Sequence, residues 1–252
     1  MLVSDSQMST ESKFKRHDEK KVFPIRFADG TFALIAISGL LDSAARFREI
    51  LEAKAELVTP THARSIADTM QEAMRETRSQ FVGYITADGA SDDEKIQHIE
   101  LLHFEALLAY YHDGKPYLYH SALYHGQAIP CRGAFEAIGC GTDVASFIMT
   151  GCDMANCDDG EAFGLAYYAV EACKKYDKAC GGAFQHIGLK PGKGAIPGTY
   201  GEAIMAIYTQ AFMNSEAIIH KAIFDSMAAS VKKLVDEGVI EPDPDFDKTP
   251  KT

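Results

Sequence analysis

The order of strand-like and helix-like patterns between residues 22 and 187 is the feature that most constrains the fold. Apolar residues first recur at strand spacing around an Asp29-Gly30 turn, and then at helical spacing in two consecutive segments. More strands, two more helices and a closing strand follow. Because strands and helices come in separate blocks, the pattern predicts an α+β fold with two stacked antiparallel sheets flanked by helix layers. The predicted strands are residues 22–27, 32–37, 81–85, 99–111, 117–124, 134–138 and 182–187, and the predicted helices are residues 42–58, 59–78, 142–154 and 160–176.

The chain changes character after residue 190, which predicts a division into three parts. Residues 1–190 form the α+β domain. Residues 191–201 hold four glycines and two prolines, as expected of a loop, and an apolar stripe at helical spacing over 202–237 predicts helices. We therefore expect a helical C-terminal extension over 191–240. The acidic, proline-containing residues 241–252 are typical of a disordered tail.

Composition excludes several classes of protein. A net charge of -11 argues against a nucleic-acid-binding protein, which needs a basic surface to displace counterions from phosphates. No apolar run approaches the length of a membrane span, and the N-terminus lacks the pattern of a secretory signal. Six cysteines in 252 residues are too few for a disulfide framework. These features favour a cytoplasmic protein with reduced thiols and no membrane partner.

Four short motifs carry the chemistry, and their order and spacing are more informative than any of them alone. Asp5 lies in a Ser-Asp-Ser turn, and Lys21 opens a predicted strand 16 residues later. Gly139-Cys140-Gly141 precedes a predicted helix, and Asp177 is followed by Cys180-Gly181-Gly182. Together these motifs resemble those of the proteasome β-subunit family of N-terminal-nucleophile (Ntn) hydrolases, over residues 1–190. The resemblance implies the αββα sandwich of that class.

The resemblance also implies roles for these residues. In that family an N-terminal threonine attacks a peptide carbonyl, and its own α-amine acts as the base. Lys21 would be the lysine beside that threonine, and Asp5 its partner. Asp177 and Cys180 would orient the N-terminal residue, with Cys140 nearby. The backbone at Ser38 and Gly39 would supply the donor that stabilises the oxyanion.

The sequence departs from the family pattern at two points. Cys140 and Cys180 stand where the family has serine, and a thiol is a weaker hydrogen-bonding group than a hydroxyl. The expected threonine would lie upstream of Met1, so the chain as it begins here is expected to be inactive. Either the natural start lies upstream, or the protein keeps the fold without activity. We favour the first, because loss of an interior strand would leave a row of unpaired backbone groups.

The resemblance implies a threonine-type peptidase subunit that assembles with copies of itself into a ring-like homo-oligomer and cuts peptides or unfolded proteins. A catalytically inactive structural subunit and a non-peptidase Ntn amidase are the alternatives. No cofactor is expected.

Other interpretations of single residues also stay open. Asp5 alone would be an ordinary turn residue, and Lys21 alone an ordinary solvated lysine. Catalysis by Cys180 with His186 has weaker support. No metal site is expected, because the histidines are scattered without ligand spacing.

Overall fold

The computed structural model describes residues 1–5, 7–9, 15–16, 19–86, 91, 102–150, 152, 156–191, 194–197, 210 and 214. Contacts between Cα atoms divide the chain into two compact units, Met1–Thr199 and Tyr200–Thr252. The second unit lies outside the described residues except for residues 210 and 214. The helices expected within 202–237 and the acidic tail therefore fall outside the described part, and the three-part division stays a prediction.

Ten strands and four helices occur in the described part of the first unit. The strands are β1 (Leu2–Ser4), β2 (Met8–Ser9), β3 (Lys15–Arg16), β4 (Val22–Arg26), β5 (Phe32–Gly39), β6 (Phe104–His112), β7 (Lys115–Ala122), β8 (Ile129–Pro130), β9 (Gln185–Lys190) and β10 (Gly194–Pro197). The helices are α1 (Leu41–Ala55), α2 (Ala63–Thr86), α3 (Thr142–Thr150) and α4 (Asp159–Tyr176).

The strands form two larger antiparallel sheets and a small ribbon. The five-stranded sheet has the order β4-β5-β6-β7-β8, the three-stranded sheet has the order β1-β9-β10, and β2 pairs with β3. The turn between β6 and β7 is Asp113-Gly114, and both residues have positive φ (50° and 74°). A two-residue turn of this kind matches the right-handed twist of the strands, and Asp-Gly between two apolar runs predicts it.

Strand β5 explains why the sheets stack. Its residues 33–37 are buried on both faces of the sheet. Ile35 and Ile37 belong to the cluster that includes Phe47 of α1 and Met70 of α2. Leu34, on the opposite face, packs in a second cluster with Leu2 and Ile187 of the three-stranded sheet. A strand that is apolar at consecutive positions needs cover on both sides, and here one side is helical and the other is a sheet.

Helix α4 covers the outer side of the three-stranded sheet and completes the sandwich. It contacts β1, and the ring of Phe163 lies 4.9 Å from the ring of His186 on β9. Asp158 caps the start of this helix in a capping box. Its carboxylate accepts a hydrogen bond from the backbone N–H of Glu161, and the carboxylate of Glu161 accepts one from the backbone N–H of Asp158. The expected α+β class, with stacked antiparallel sheets between helix layers, is confirmed.

Two predicted strands are wrong. Residues 81–85 continue helix α2, because Phe81 follows the buried Met74 and Thr77 at helical spacing and packs against the same core. A short apolar run does not by itself distinguish a strand from a helix. Residues 134–138 form an irregular connection, and β7 pairs instead with the two-residue strand β8.

Two smaller expectations also need correction. The sequence predicts Asp42 as the cap of the first helix, but Asp42 lies in the first turn of α1, and Leu40 occupies the cap without a side-chain hydrogen bond. Residues 194–197, expected in a loop, form β10 on the edge of the three-stranded sheet. Among the described residues, no helix has the length and apolar character needed to cross a bilayer.

Replacing Leu34 by alanine tests the double-sided burial of β5. Leu34 is fully buried between the sheets, so L34A should lower the free energy of unfolding by about 2–5 kcal/mol through lost contacts and a cavity. Leu57, which is 86% exposed, is the matched control, and L57A should change stability by less than about 0.5 kcal/mol. Urea denaturation measures both. Equal effects of the two variants would contradict the packing described here.

Candidate active site

A buried ion pair between Lys21 and Asp5 forms the centre of the site. The Lys21 ammonium donates to Asp5 Oδ1, and the backbone N–H of Gly181 donates to Asp5 Oδ2 at 2.5 Å. Both charged side chains are almost completely shielded from solvent. Charges in such a place must be paired and hydrogen-bonded, because desolvation of an unpaired charge costs several kcal/mol. The pair therefore fixes the end of β1, the start of β4 and the residues before β9 relative to one another.

Backbone hydrogen bonds hold Lys21 in position. Its N–H donates to Gln185 Oε1 at 2.8 Å, and its carbonyl accepts the N–H of Ile37 on β5 at 3.0 Å. The amide of Gln185 in turn donates to the carbonyl of Glu19 at 2.6 Å. Residues from both sheets thus orient the lysine.

The Gly139-Cys140-Gly141 loop packs closely enough to require its glycines. Gly139 has φ of 87°, and a Cβ there would lie 2.0 Å from Ser38 Oγ. A Cβ on Gly141 would lie 2.8 Å from Cys173 Sγ and 3.1 Å from Cys180 Sγ. Without side chains at positions 139 and 141, the loop can lie against β5 and place Cys140 beside Cys180.

Three thiols meet at this loop. The Sγ atoms of Cys140 and Cys180 are 3.3 Å apart, and the Cys173 thiol donates to the carbonyl of Gly141 at 3.2 Å. Hydrogen bonding to Cys180, together with burial, raises the pKa of Cys140. Hydrogen bonding to Cys140 favours the Cys180 thiolate, but Cys173 and burial outweigh it and raise the pKa of Cys180 to about 12. Both thiols are therefore protonated at neutral pH.

Asp177 lies at the C-terminal cap of α4, beside these thiols. Its Oδ1 accepts the N–H of Ala179 at 2.8 Å, and its carbonyl accepts the N–H of Cys180 at 3.0 Å. One of its carboxylate oxygens lies within 4.8 Å of both Cys140 Sγ and Cys180 Sγ. These three atoms are of the types that bind metal ions.

The structure brings six of the seven predicted site residues together. A cavity of about 150 Å³ is lined by five of them, Asp5, Lys21, Ser38, Cys140 and Cys180, and otherwise mainly by apolar side chains. Asp177 adjoins it through the two cysteines. Gly39, the seventh, does not line the cavity; it packs against His103 and Phe104 with φ of 119°. Their catalytic roles stay predictions.

The site also contains a residue that the sequence did not indicate. Glu105 Oε2 accepts the N–H of Gly139 at 2.8 Å, and Glu105 Oε1 lies 3.9 Å from His103 Nε2 and 3.5 Å from His120 Nε2. The pKa of Glu105 is well below its ordinary value although the side chain is partly buried. Contacts with His103 and His120, and the hydrogen bond from the Gly139 N–H, favour the ionised carboxylate. Glu105 carries no motif, and only the β5–β6 and β6–β7 registers place it beside Gly139.

His186 occupies a different environment from the one a Cys-His pair would need. It packs against the rings of Phe163 and Phe184 at 4.9 and 5.5 Å, and burial lowers its pKa. It is not among the residues that line the cavity with Cys180. This packing argues against the Cys180–His186 alternative.

Comparison with solved structures shows which known proteins share this arrangement of elements. The chain resembles Anbu from Hyphomicrobium sp. strain MC1 with a TM-score of 0.63 and 13% identity, over 88% of this chain and 91% of that one. It resembles Anbu from Yersinia bercovieri, described as an ancestral beta-subunit, with a TM-score of 0.62 and 14% identity over 86% and 91%. The helical assembly of the Anbu complex from Pseudomonas aeruginosa gives 0.65 and 14% over 87% and 90%. The chain has the Anbu fold.

This finding corrects the identification made from the sequence. The structures compared above are Anbu structures, one of them described as an ancestral beta-subunit, and at 13–14% identity the likeness shows the fold alone. No protein-family model matches the chain. No curated protein matches it either. Membership of the proteasome β-subunit family is therefore not supported. The cysteines at positions 140 and 180 can no longer be described as replacements of that family's serines.

Replacing Glu105 by glutamine tests how much its ionised carboxylate stabilises the Gly139-Cys140-Gly141 loop. Because the pKa of Glu105 is lower in the folded state, its stabilising effect is present above the unfolded pKa of about 4.3 and is lost as pH falls further. E105Q should therefore lower the free energy of unfolding by about 1–2 kcal/mol at pH 6.

The stability difference between E105Q and wild type should shrink below about pH 4, as measured by denaturant titration at several pH values. Glu136 is exposed in the same connection, and E136Q provides a control that should stay within about 0.5 kcal/mol of wild type. A difference for E105Q that does not vary with pH would contradict this account.

Proposed function

We propose that this chain is a subunit of an Anbu-like N-terminal-nucleophile hydrolase that cleaves peptide bonds by a threonine-type mechanism. The observation that carries the proposal is the buried Lys21–Asp5 pair at a cavity bordered by Cys140, Asp177 and Cys180. Burying an ammonium costs free energy of desolvation even when the charge is paired. Shielded charges of this kind concentrate at functional sites. The Anbu fold of the chain is consistent with this use.

Each residue has a defined part in the proposed reaction. In the proposed reaction the ammonium of Lys21 would favour the deprotonated nucleophile and the neutral α-amine that serves as base. Asp5 fixes the position of the lysine through their ion pair. Asp177 and Cys180 would orient the N-terminal residue, and Cys140 lies beside them. A backbone donor near Ser38 and Gly39 would stabilise the oxyanion.

The two thiols set a limit on the mechanism. Cys140 and Cys180 are protonated at neutral pH and are weak hydrogen-bonding groups, so they would orient the nucleophile less firmly than hydroxyls. They are also poor nucleophiles themselves, because thiolate and not thiol is the reactive form. In this proposal the cysteines are positioning residues, and Lys21 is the residue that acts on the reacting groups.

Replacing Lys21 tests the proposal directly, and Lys20 provides the matched control. In a form of the protein that begins with the nucleophilic threonine, K21M should reduce hydrolysis of a fluorogenic peptide amide by at least about 100-fold, because it removes the charge that stabilises the nucleophile. K21R should also lose most of the activity. Arginine can still pair with Asp5, but its planar guanidinium is larger than an ammonium and cannot occupy the same position. K20M, at an exposed neighbouring position, should keep activity within about twofold of wild type.

The same comparison contains the results that would contradict the proposal. Circular dichroism and particle size show whether each variant keeps its fold and assembly. Full activity in both Lys21 variants, or equal losses in K20M and K21M, would exclude the proposed role. A wild-type protein that assembles but cleaves no peptide amide would favour the inactive structural subunit. Cleavage of small amides but not peptides would favour the non-peptidase amidase.

We further propose that the chain assembles with copies of itself, since one Anbu structure of the same fold is a helical assembly. Light scattering coupled to size exclusion should show particles of many subunits, and electron microscopy should show whether they are rings or open helices. In either form, repeated contacts between identical subunits are expected. A monomer across the accessible concentration range would overturn this part of the proposal.

A further inference from the structure

We propose that Cys140, Asp177 and Cys180 form a binding site for a soft divalent transition metal, of which Zn²⁺ is the representative. Within the described residues, these three form the one group of at least three His, Cys, Asp or Glu side chains whose ligand-type atoms all lie within 4.8 Å of one another. The inference goes beyond the proposed hydrolase activity and does not depend on it.

The spacing of the two sulfur atoms suits zinc after a small adjustment, and the Asp177 oxygen lies within 4.8 Å of both. Zinc–sulfur bonds of about 2.3 Å at tetrahedral angles separate two sulfurs by about 3.8 Å. The Cys140 and Cys180 sulfurs are 3.3 Å apart, so a change of a few tenths of an ångström would place an ion between them. The flexible end of each side chain can supply such a change without moving the backbone.

The types of ligand select the class of metal. Thiolates are soft ligands that favour zinc and other late transition metals, whereas magnesium and calcium require mainly oxygen ligands. Two thiolates and one carboxylate supply three ligands of a tetrahedral site. The Cys173 thiol is buried and already donates to the carbonyl of Gly141, so we assign the fourth position to water. Cys140 is exposed, which gives the ion a path of entry.

The ends of two helices lie beside the proposed ligands, and their dipoles favour two thiolates with a bound cation. Cys140 lies two residues before α3, and the positive end of a helix dipole stabilises a nearby thiolate. Asp177 lies at the C-terminal cap of α4, where a carboxylate meets the negative end of the dipole. A bound cation would offset that unfavourable position.

Proton release provides a quantitative signature of the site. Thiols bind metal ions as thiolates, so a metal ion that binds both cysteines displaces two protons. Apparent affinity should therefore rise about 100-fold per pH unit near neutral pH. A site built from carboxylates alone would show almost no such dependence near neutral pH, since carboxylates are already ionised.

A disulfide between Cys140 and Cys180 is the competing use of the same thiols. Its formation would need a two-electron oxidant and would remove both thiols as metal ligands. The metal requires no redox partner, which is why we favour it.

The experiment is a metal titration of the assembled, reduced full-length protein, with thiol counting to establish that all six cysteines are free. Zn²⁺ is titrated against a chromophoric chelator, and Co²⁺ is used to detect thiolate-to-metal charge transfer. We expect one ion per chain and a two-proton pH dependence. C140S, C180S and D177N should each weaken Zn²⁺ binding. The two cysteine variants should lose about 100-fold in affinity, because mutating even residues that only contact the metal ligands costs about 10–100-fold.

Cys131, outside the cluster, provides the matched control, and C131S should bind Zn²⁺ within about twofold of wild type. Thermal melts without metal should show that the variants keep their fold. Binding that is unaffected by C140S and C180S, the absence of a thiolate band with Co²⁺, or a Cys140–Cys180 disulfide that persists under reducing conditions would each overturn the proposal. None of these readouts uses peptide hydrolysis, so failure of the metal site and failure of the hydrolase proposal are separately visible.

Discussion

The buried ion pair between Lys21 and Asp5 is the interaction around which the site is organised. It joins the first strand of one sheet to the first strand of the other, and the Gly181 N–H joins the segment before β9 to the same carboxylate. Removing either partner would leave a charge in a shielded place, at a cost of several kcal/mol. The two sheets are therefore held at a fixed separation where the cavity opens.

Close packing around glycine supplies the second constraint. Gly139 and Gly141 allow the loop before α3 to lie against Ser38 and against the sulfurs of Cys173 and Cys180. Glu105 holds that loop from the other side through the Gly139 N–H. Because each contact depends on another element, the site is a property of the whole sandwich and not of any single segment.

The likeness to Anbu structures and the thiols of this chain have different consequences for function. The shared architecture concerns the arrangement of sheets and helices, and a fold can carry more than one chemistry. The thiols of Cys140 and Cys180 weaken hydrogen bonding where a nucleophile would be oriented, and with Asp177 they provide ligands for a soft metal. The same three residues therefore connect the proposed hydrolase site to the proposed metal site.

The sequence by itself determined the α+β class, the Asp-Gly hairpin turns and most of the helices, since these depend on local periodicity and turn chemistry. Short motifs that resemble those of a proteasome β subunit also indicated five site residues, namely Asp5, Lys21, Cys140, Asp177 and Cys180. Tertiary structure decided that residues 81–85 extend a helix, because only the shared core shows that Phe81 continues the stripe of Met74 and Thr77. It alone revealed Glu105 and the convergence of three thiols, because strand register and loop packing are long-range contacts that no local pattern records.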